Sequence, residues 1–198
     1  AIGENALVKM VKNILTLTMA RIRASKLRKA GLSGAYASAD SELGRRVYAL
    51  AREGRGAYLF GTPGTGKTHA AACAVRMWCD RGGGARLVTA KRLLDDVRDG
   101  YRGDGDRRAL ERAARVPLLA LDDLGLERRT DWGVEEISAL IDGRTAAGLP
   151  TVITSNYSLG ELATLWGGVD GARAASRIAG ACERIAVGGP DRRLHGQG

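Results

Sequence analysis

One short stretch restricts the fold of this chain more than any other, the segment GTPGTGKT at residues 61–68. It fits G-x-x-x-x-G-K-[ST], a pattern that requires a strand before the glycine-rich turn and a helix after it. The flanking residues meet this requirement, because the apolar YLF (58–60) precedes the turn and the helical HAAACAVRMW (69–78) follows it. Backbone N–H groups of such a turn, together with the positive end of the helix, bind phosphate oxygens. The stretch therefore predicts a nucleoside triphosphate site.

The side chains of this phosphate loop have separate expected roles. Lys67 would reach the β- and γ-phosphates, and the Thr68 hydroxyl would hold Mg²⁺ beside the bound ATP. The residues predicted to bind the nucleotide are Gly61, Thr62, Pro63, Gly64, Thr65, Gly66, Lys67 and Thr68.

A second stretch, LLALDDLG at residues 118–125, sets two adjacent carboxylates after four apolar residues. Buried neighbouring carboxylates are costly unless a cation, a proton or donors compensate them. Alone, the stretch is compatible with a solvated strand end whose two side chains point to opposite faces, or with a metal ligand next to a base. The phosphate loop favours the second interpretation, because Mg²⁺ at Thr68 needs a carboxylate from a neighbouring strand end. We expect Asp122 to be that ligand.

Asp123 is then predicted to orient or deprotonate the attacking water. Glutamate fills this role more often in ATPases of this kind, and the aspartate side chain is one methylene shorter, so we expect slow turnover. The alternative for Asp123 is an N-cap or turn residue.

Further polar residues follow later apolar segments. Asn156 ends TVITSN and could orient the same water without adding charge, the alternative being a turn residue. Arg173 and Arg177 are four apart on one helical face, and either could neutralise transition-state charge from a neighbouring subunit. Otherwise they are ordinary surface arginines. His69 and His195 have no evident ligand partners, so neither is assigned a metal.

Composition bounds the class of protein. The chain has 198 residues, 44% of them apolar and 27% charged, and no apolar run is long enough to span a bilayer. These values predict a soluble, single-domain protein without a membrane partner. No signal peptide is visible, and the odd set of cysteines, without CxxC spacing, is typical of buried free thiols in a reducing cytoplasm. The cysteines are Cys73, Cys79 and Cys182.

The net charge of +9 is concentrated near the start of the chain. Between Glu4 and Asp40 there is no acidic residue, whereas seven cations lie there: Lys9, Lys12, Arg21, Arg23, Lys26, Arg28 and Lys29. Such a segment is attracted to nucleic acid, although a solvated basic helix is the plainer interpretation.

The same segment has the spacing of a helix. Residues 4–30 carry apolar side chains at helical intervals, which predicts an amphipathic helix that ends near Gly31. We expect its apolar face to pack on its own domain, the alternative being a face offered to a partner. The predicted organisation is a basic helix over residues 1–35 and a second, nucleotide-binding part over residues 36–198.

From residue 57 onwards apolar strands alternate with helical stretches. The predicted strands are AYLF, ARLVTA, PLLALDD, TVITSN and ERIAVGG. A second helix with its N-cap at Asp40 or Ser41 precedes them. Five strands separated by helices predict an α/β fold in which a parallel sheet is covered on both faces.

Taken together, these motifs resemble the DnaC-type replicative helicase loaders and the related IstB-type transposition helper ATPases, within the AAA+ superfamily. The similar stretches are GTPGTGKTHAAACAV, LLALDDLG, TDWGVEEISALIDGR, PTVITSNYSLGELA, ARAASRIAG and GPDRR, between about Tyr36 and Leu194. The resemblance implies an AAA+ P-loop core with little or no C-terminal helical lid, since many AAA+ proteins carry a lid after the last strand and this chain nearly stops there.

The resemblance also implies ATP binding by residues 61–68, magnesium at Asp122, a sensor role for Asn156 and an arginine finger near Arg177. It further implies single-stranded DNA binding, a replicative helicase as client and assembly into a homo-oligomer. The leading hypothesis is therefore a helicase loader with slow, DNA-stimulated ATP hydrolysis. The alternatives are a transposition helper ATPase and a nucleotide-gated DNA-binding module whose hydrolysis is incidental.

Overall fold

The computed structural model describes residues 2–127 and 129–191, with residues 2–7 described by their backbone alone. Arg192, Arg193, Leu194 and His195, which belong to motifs and assignments made above, lie outside the described residues, as does the side chain of Leu7. The helices are α1 Ile2–Lys29, α2 Glu42–Arg52, α3 Lys67–Asp80, α4 Ala90–Gly100, α5 Ala109–Arg115, α6 Asp131–Ala146, α7 Leu159–Trp166 and α8 Gly168–Ala181. A short 3₁₀ helix spans Gly34–Ser38.

The strands form one parallel sheet in the spatial order β2-β3-β4-β1-β5. They are β1 Gly56–Phe60, β2 Ala85–Thr89, β3 Leu118–Leu124, β4 Thr151–Ser155 and β5 Cys182–Ala186. The predicted five-stranded parallel sheet is confirmed.

Helices cover both faces of this sheet, which explains the continuous apolar run in β3. Leu118 and Ala120 belong to the core beneath α2 and α3, whereas Leu119 and Leu121 belong to the core beneath α4, α6 and α8. A parallel strand between two helical layers is buried on both faces and needs no polar alternation. All three cysteines are buried in these two cores.

The apolar face of α1 does not pack on the domain, so the prediction that it would is wrong. The large apolar side chains between Val8 and Ile22 are 46–64% exposed. Packing begins only near the end of the helix, where Leu27 and Ala30 are 2% and 3% exposed. The physical reason is that, from Val8 onwards, the helix is attached to the domain near its C-terminal end, through the Arg23–Asp80 ion pair and the contacts that follow it.

Ser41, one of the two predicted N-cap residues, accepts a hydrogen bond from the Gly44 N–H and so begins α2. Within the part of the chain that the structure describes, no helix is both long and apolar enough to cross a membrane.

Candidate functional site

The phosphate loop connects β1 to α3 and depends on its glycines. Gly61, Gly64 and Gly66 have φ values of 146°, 78° and 94°, which side chains with a Cβ rarely adopt. A Cβ on Gly61 would also collide with the carbonyl group of Val187. Gly66 is the N-cap of α3, so the loop delivers the chain directly to the positive end of a helix. The backbone therefore forms the anion-binding turn that the sequence predicts.

Lys67 lies inside this turn rather than in solvent. Its side chain is almost completely buried, and its Nζ donates hydrogen bonds to the carbonyl oxygens of Gly61 at 2.7 Å and Thr62 at 2.8 Å. The same Nζ donates to Asn156 Oδ1 at 3.0 Å. The end of β4 therefore holds Asn156 against the cation that would meet the terminal phosphates.

Asp122 lies opposite the start of α3 and meets the residue expected to share the metal. Thr68 Oγ1 donates to Asp122 Oδ1 at 3.0 Å, and Thr154 Oγ1 on β4 donates to the same oxygen at 2.5 Å. Asp122 is 4% exposed, and this burial raises its pKa, an effect that the Thr154 hydroxyl opposes and the charge of Asp123 reinforces. A buried carboxylate whose charge is under-compensated fits a cation site, and two oxygen donors side by side suit Mg²⁺.

Asp123 breaks the regular pairing of β3 with β4. Its φ is 56°, and the register between the two strands shifts between Leu121 and Leu124. The Asp123 N–H donates to Thr154 Oγ1 at 3.0 Å, so one threonine holds the backbone of Asp123 and the carboxylate of Asp122. Because of this bulge, Asp123 lines the same cleft as Lys67 and Thr68. Backbone strain of this kind is concentrated at functional sites.

A cleft of about 700 Å³, a volume suited to a small ligand, is lined by Lys67, Thr68, Asp123 and Asn156. Sequence reasoning missed part of its lining, which comes from Ala35, Tyr36, His69 and Leu126. Tyr36 stands in the 3₁₀ helix before α2 and is 38% exposed. The one signal in the sequence was an aromatic residue within the otherwise small and polar segment AYASAD.

The two candidate arginines do not line this cleft. Arg177 Nε lies 3.0 Å from Asp142 Oδ2, and Arg173 Nη1 lies 3.8 Å from Asp170 Oδ1. Both side chains are well exposed on α8, which leads into the start of β5. Arg177 therefore stands toward the amino ends of the strands, whereas the phosphate loop stands at their carboxyl ends.

A five-stranded parallel sheet of this order, with a phosphate loop after β1 and a carboxylate pair at the end of β3, defines a P-loop nucleotide-binding protein with the AAA+ fold. The sequence profile of the IstB-like ATP binding protein family matches residues 42–197. The chain belongs to that family.

Individual relatives agree with this assignment. The replicative helicase loader DnaC of Escherichia coli K12 is 28% identical over 109 residues, which are 54% of this chain and 44% of DnaC. A putative ATP-binding protein of insertion sequence IS1162 from Pseudomonas fluorescens is 35% identical over 98 residues, 49% of this chain and 42% of that protein. The matched segment is thus less than half the length of these curated relatives.

A solved structure extends the similarity. The crystal structure of DnaI superposes with a TM-score of 0.65 at 26% identity, covering 73% of this chain and 82% of the other. The resemblance to helicase loaders and IstB-type proteins inferred from the motifs is confirmed.

Proposed function

We propose that this protein is an ATPase that binds ATP, Mg²⁺ and single-stranded DNA and delivers a replicative helicase to that DNA. The observation that carries the proposal is the convergence of Lys67, Asp122 and Asn156 around one phosphate loop in a chain similar to helicase loaders. Nucleotide binding alone is common to many P-loop proteins. Here the phosphate loop also has a candidate water-positioning residue beside it, and the chain is similar to proteins named as replicative helicase loaders.

Separate residues of the chain bind the phosphates, hold the metal and position the attacking water. Main-chain N–H groups of the phosphate loop, to which Pro63 contributes none, hold the phosphates, and Lys67 exchanges its carbonyl partners for phosphate oxygens. Thr68 and Asp122 would hold Mg²⁺, which neutralises charge on the β- and γ-phosphates when bound. Asp123 and Asn156 orient the attacking water, Asp123 accepting its proton. Tyr36 lines the same cleft, where its ring would be available to stack on the base.

A transposition helper ATPase is the second candidate. The family profile favours it through its IstB-like description, and the IS1162 relative favours it because that protein belongs to an insertion sequence. The two candidates share the nucleotide site, so their client distinguishes them. A non-enzymatic, nucleotide-gated DNA-binding module differs from both, since its cleft would hold ATP without turning it over.

The client is tested by affinity capture with the full chain. We expect a replicative helicase from the same organism to be retained with ATP as long as hydrolysis is prevented by withholding Mg²⁺, and to be released once Mg²⁺ is added. Retention of the cognate transposase in place of the helicase would assign the transposition role. Capture of neither protein, with or without ATP, would contradict both.

Helix α1 is the proposed client-docking element, because its broad apolar face is exposed. Replacing Val11, Leu15 and Ile22 by serine is expected to reduce helicase capture at least tenfold, with ATP binding unchanged. A matched variant with serine at Lys9, Thr16 and Ala20 changes the opposite face of the same helix and should capture helicase like the parent. Equal capture by both variants would exclude the apolar face as the docking surface.

Arg177 is proposed as an arginine finger that acts on the nucleotide of a neighbouring subunit in a homo-oligomer. Arg177→Ala should bind ATP like the parent and lose at least tenfold in DNA-stimulated hydrolysis, because the finger stabilises transition-state charge across an interface. Arg173→Ala, which removes a cation from the same helical face, is measured beside it, and the variant with the larger loss of hydrolysis identifies the finger.

Mixing decides whether the finger acts between subunits. Arg177→Ala supplies intact nucleotide sites and Lys67→Ala supplies intact fingers, so mixtures should regain part of the activity. Absence of recovery at every mixing ratio would place the action of Arg177 within its own subunit.

A further inference from the structure

A second cleft lies at the edge strand β2, near the amino ends of the strands, whereas the nucleotide site lies at the carboxyl ends of β1, β3 and β4. This second cleft forms where the end of α1 meets the edge strand β2, and the Leu87 N–H donates to the Ala30 carbonyl oxygen at 2.7 Å. Gly31, with φ 85°, lets the chain pass so close to β2 that a Cβ there would collide with the Leu87 carbonyl. This attachment holds Lys29 beside Arg86 near the amino end of the strand.

The lining of this cleft is dominated by cations. It encloses about 620 Å³, and α5 with the segment that follows it forms the far side. Five of its eight lining residues are basic and one is acidic, so the cleft carries a marked excess of positive charge. The lining residues are Lys29, Ala85, Arg86, Arg108, Glu111, Arg112, Arg115 and Val116.

Most of these cations lack a carboxylate partner. Arg112 pairs with Asp106, and on the adjacent helix α4 Arg92 and Arg98 pair with aspartates of their own helix. In contrast, among residues 2–127 and 129–191 no ion pair is formed by four cations of the cleft: Lys29, Arg86, Arg108 and Arg115. The fold therefore concentrates more positive charge here than the nearby carboxylates neutralise.

Arg86 is the cation of the cleft whose charged form is most clearly destabilised. Arg86 is half-buried where it lines the cleft, and burial, followed by the positive charge of Arg112, lowers its pKa, an effect that the charge of Asp96 opposes in part. A partly desolvated cation next to like charges is unfavourable unless an anion enters the site. The cleft is thus complementary to a ligand that brings several negative charges.

We propose that this basic cleft binds consecutive phosphates of a nucleic acid strand. The inference rests on the proposed function, for which it names the surface that contacts DNA. Guanidinium groups match phosphate geometry with paired N–H donors, and several along one groove fit a polyanion better than a single ion. Lys26 and Arg28 on the last turns of α1 continue the positive surface, which an extended strand would follow.

The test compares the full chain with charge variants, using a fluorescein-labelled oligodeoxythymidylate as probe over a series of salt concentrations. Arg108→Gln/Arg115→Gln removes two exposed cations of the cleft, and Arg86→Gln removes the half-buried one. The control, Arg52→Gln/Arg184→Gln, removes two exposed cations on α2 and β5, away from β2. ATP affinity, measured with a fluorescent analogue, should be that of the parent in every variant and so reports correct folding.

Arg108→Gln/Arg115→Gln should lower the slope of log affinity against log salt by roughly 1.4, because it removes two phosphate contacts and each contact to a single strand contributes about 0.7. Arg86→Gln should lower it by about 0.7, and the control should leave it unchanged. Parent-like slopes in the cleft variants would overturn the proposal. Equal losses in the control would overturn it as well. A parent that binds no oligonucleotide at any salt concentration would instead refute DNA binding as a whole.

Discussion

Replacing Lys67 with alanine is expected to weaken ATP binding by roughly 10- to 100-fold. Lys67 is the cation buried within the phosphate loop, and hydrogen bonds from a charged donor to phosphate contribute about 1.5–3 kcal/mol. The substitution also leaves the carbonyl groups of Gly61 and Thr62 without this donor, so thermal unfolding should be recorded beside affinity for a fluorescent ATP analogue.

Lys12→Ala is the matched control for that measurement, because it removes the same charge from the exposed part of α1. It should bind the analogue like the parent. Parent-like affinity in Lys67→Ala, in a variant that melts normally, would show that the nucleotide does not occupy the phosphate loop.

The second large effect is expected at the carboxylate pair. Asp123→Asn should reduce the hydrolysis rate by about 100- to 10,000-fold with little change in ATP affinity, since it removes a proton acceptor from beside the attacking water. Asparagine has nearly the same shape and tolerates the left-handed backbone at this position, so the bulge should persist. Asp122→Asn should instead raise the Mg²⁺ concentration needed for half-maximal hydrolysis.

A magnesium titration of single-turnover hydrolysis separates these roles. Asp123→Asn changes the rate at saturating metal, whereas Asp122→Asn shifts the metal dependence. Parent rates in both variants across the titration would mean that the aspartate pair is structural.

The sequence predicted the sheet and the nucleotide loop because both depend on local patterns. Apolar runs of strand length alternate with helical spacing, and the G-x-x-x-x-G-K-[ST] segment is recognisable without tertiary information. The proximity of Asp122 to Thr68 also followed, since parallel strands end at the same edge of a sheet.

Other features depend on partners distant in the sequence. The bulge at Asp123 requires Thr154 on β4, and the period-2 rule alone would have sent the two carboxylates to opposite faces. Tyr36 reaches the cleft only because the 3₁₀ helix packs near α3. The basic cleft combines α1, β2 and α5, which no local window contains. The exposure of α1 was missed because its periodicity shows an apolar face without showing what covers it.

The length of the exposed part of α1 limits how a protein bound to it could be coupled to the domain. From Val8 to Ile22 the helix extends for about 22 Å before Arg23 meets Asp80 on α3. That length exceeds two Debye lengths at physiological ionic strength, which are about 16 Å. A protein bound near the far end of α1 would feel little through-space field from charge changes at the domain end of the helix. Coupling between such a protein and the nucleotide site would therefore depend on motion of the helix about its attachment to α3 and the edge of β2.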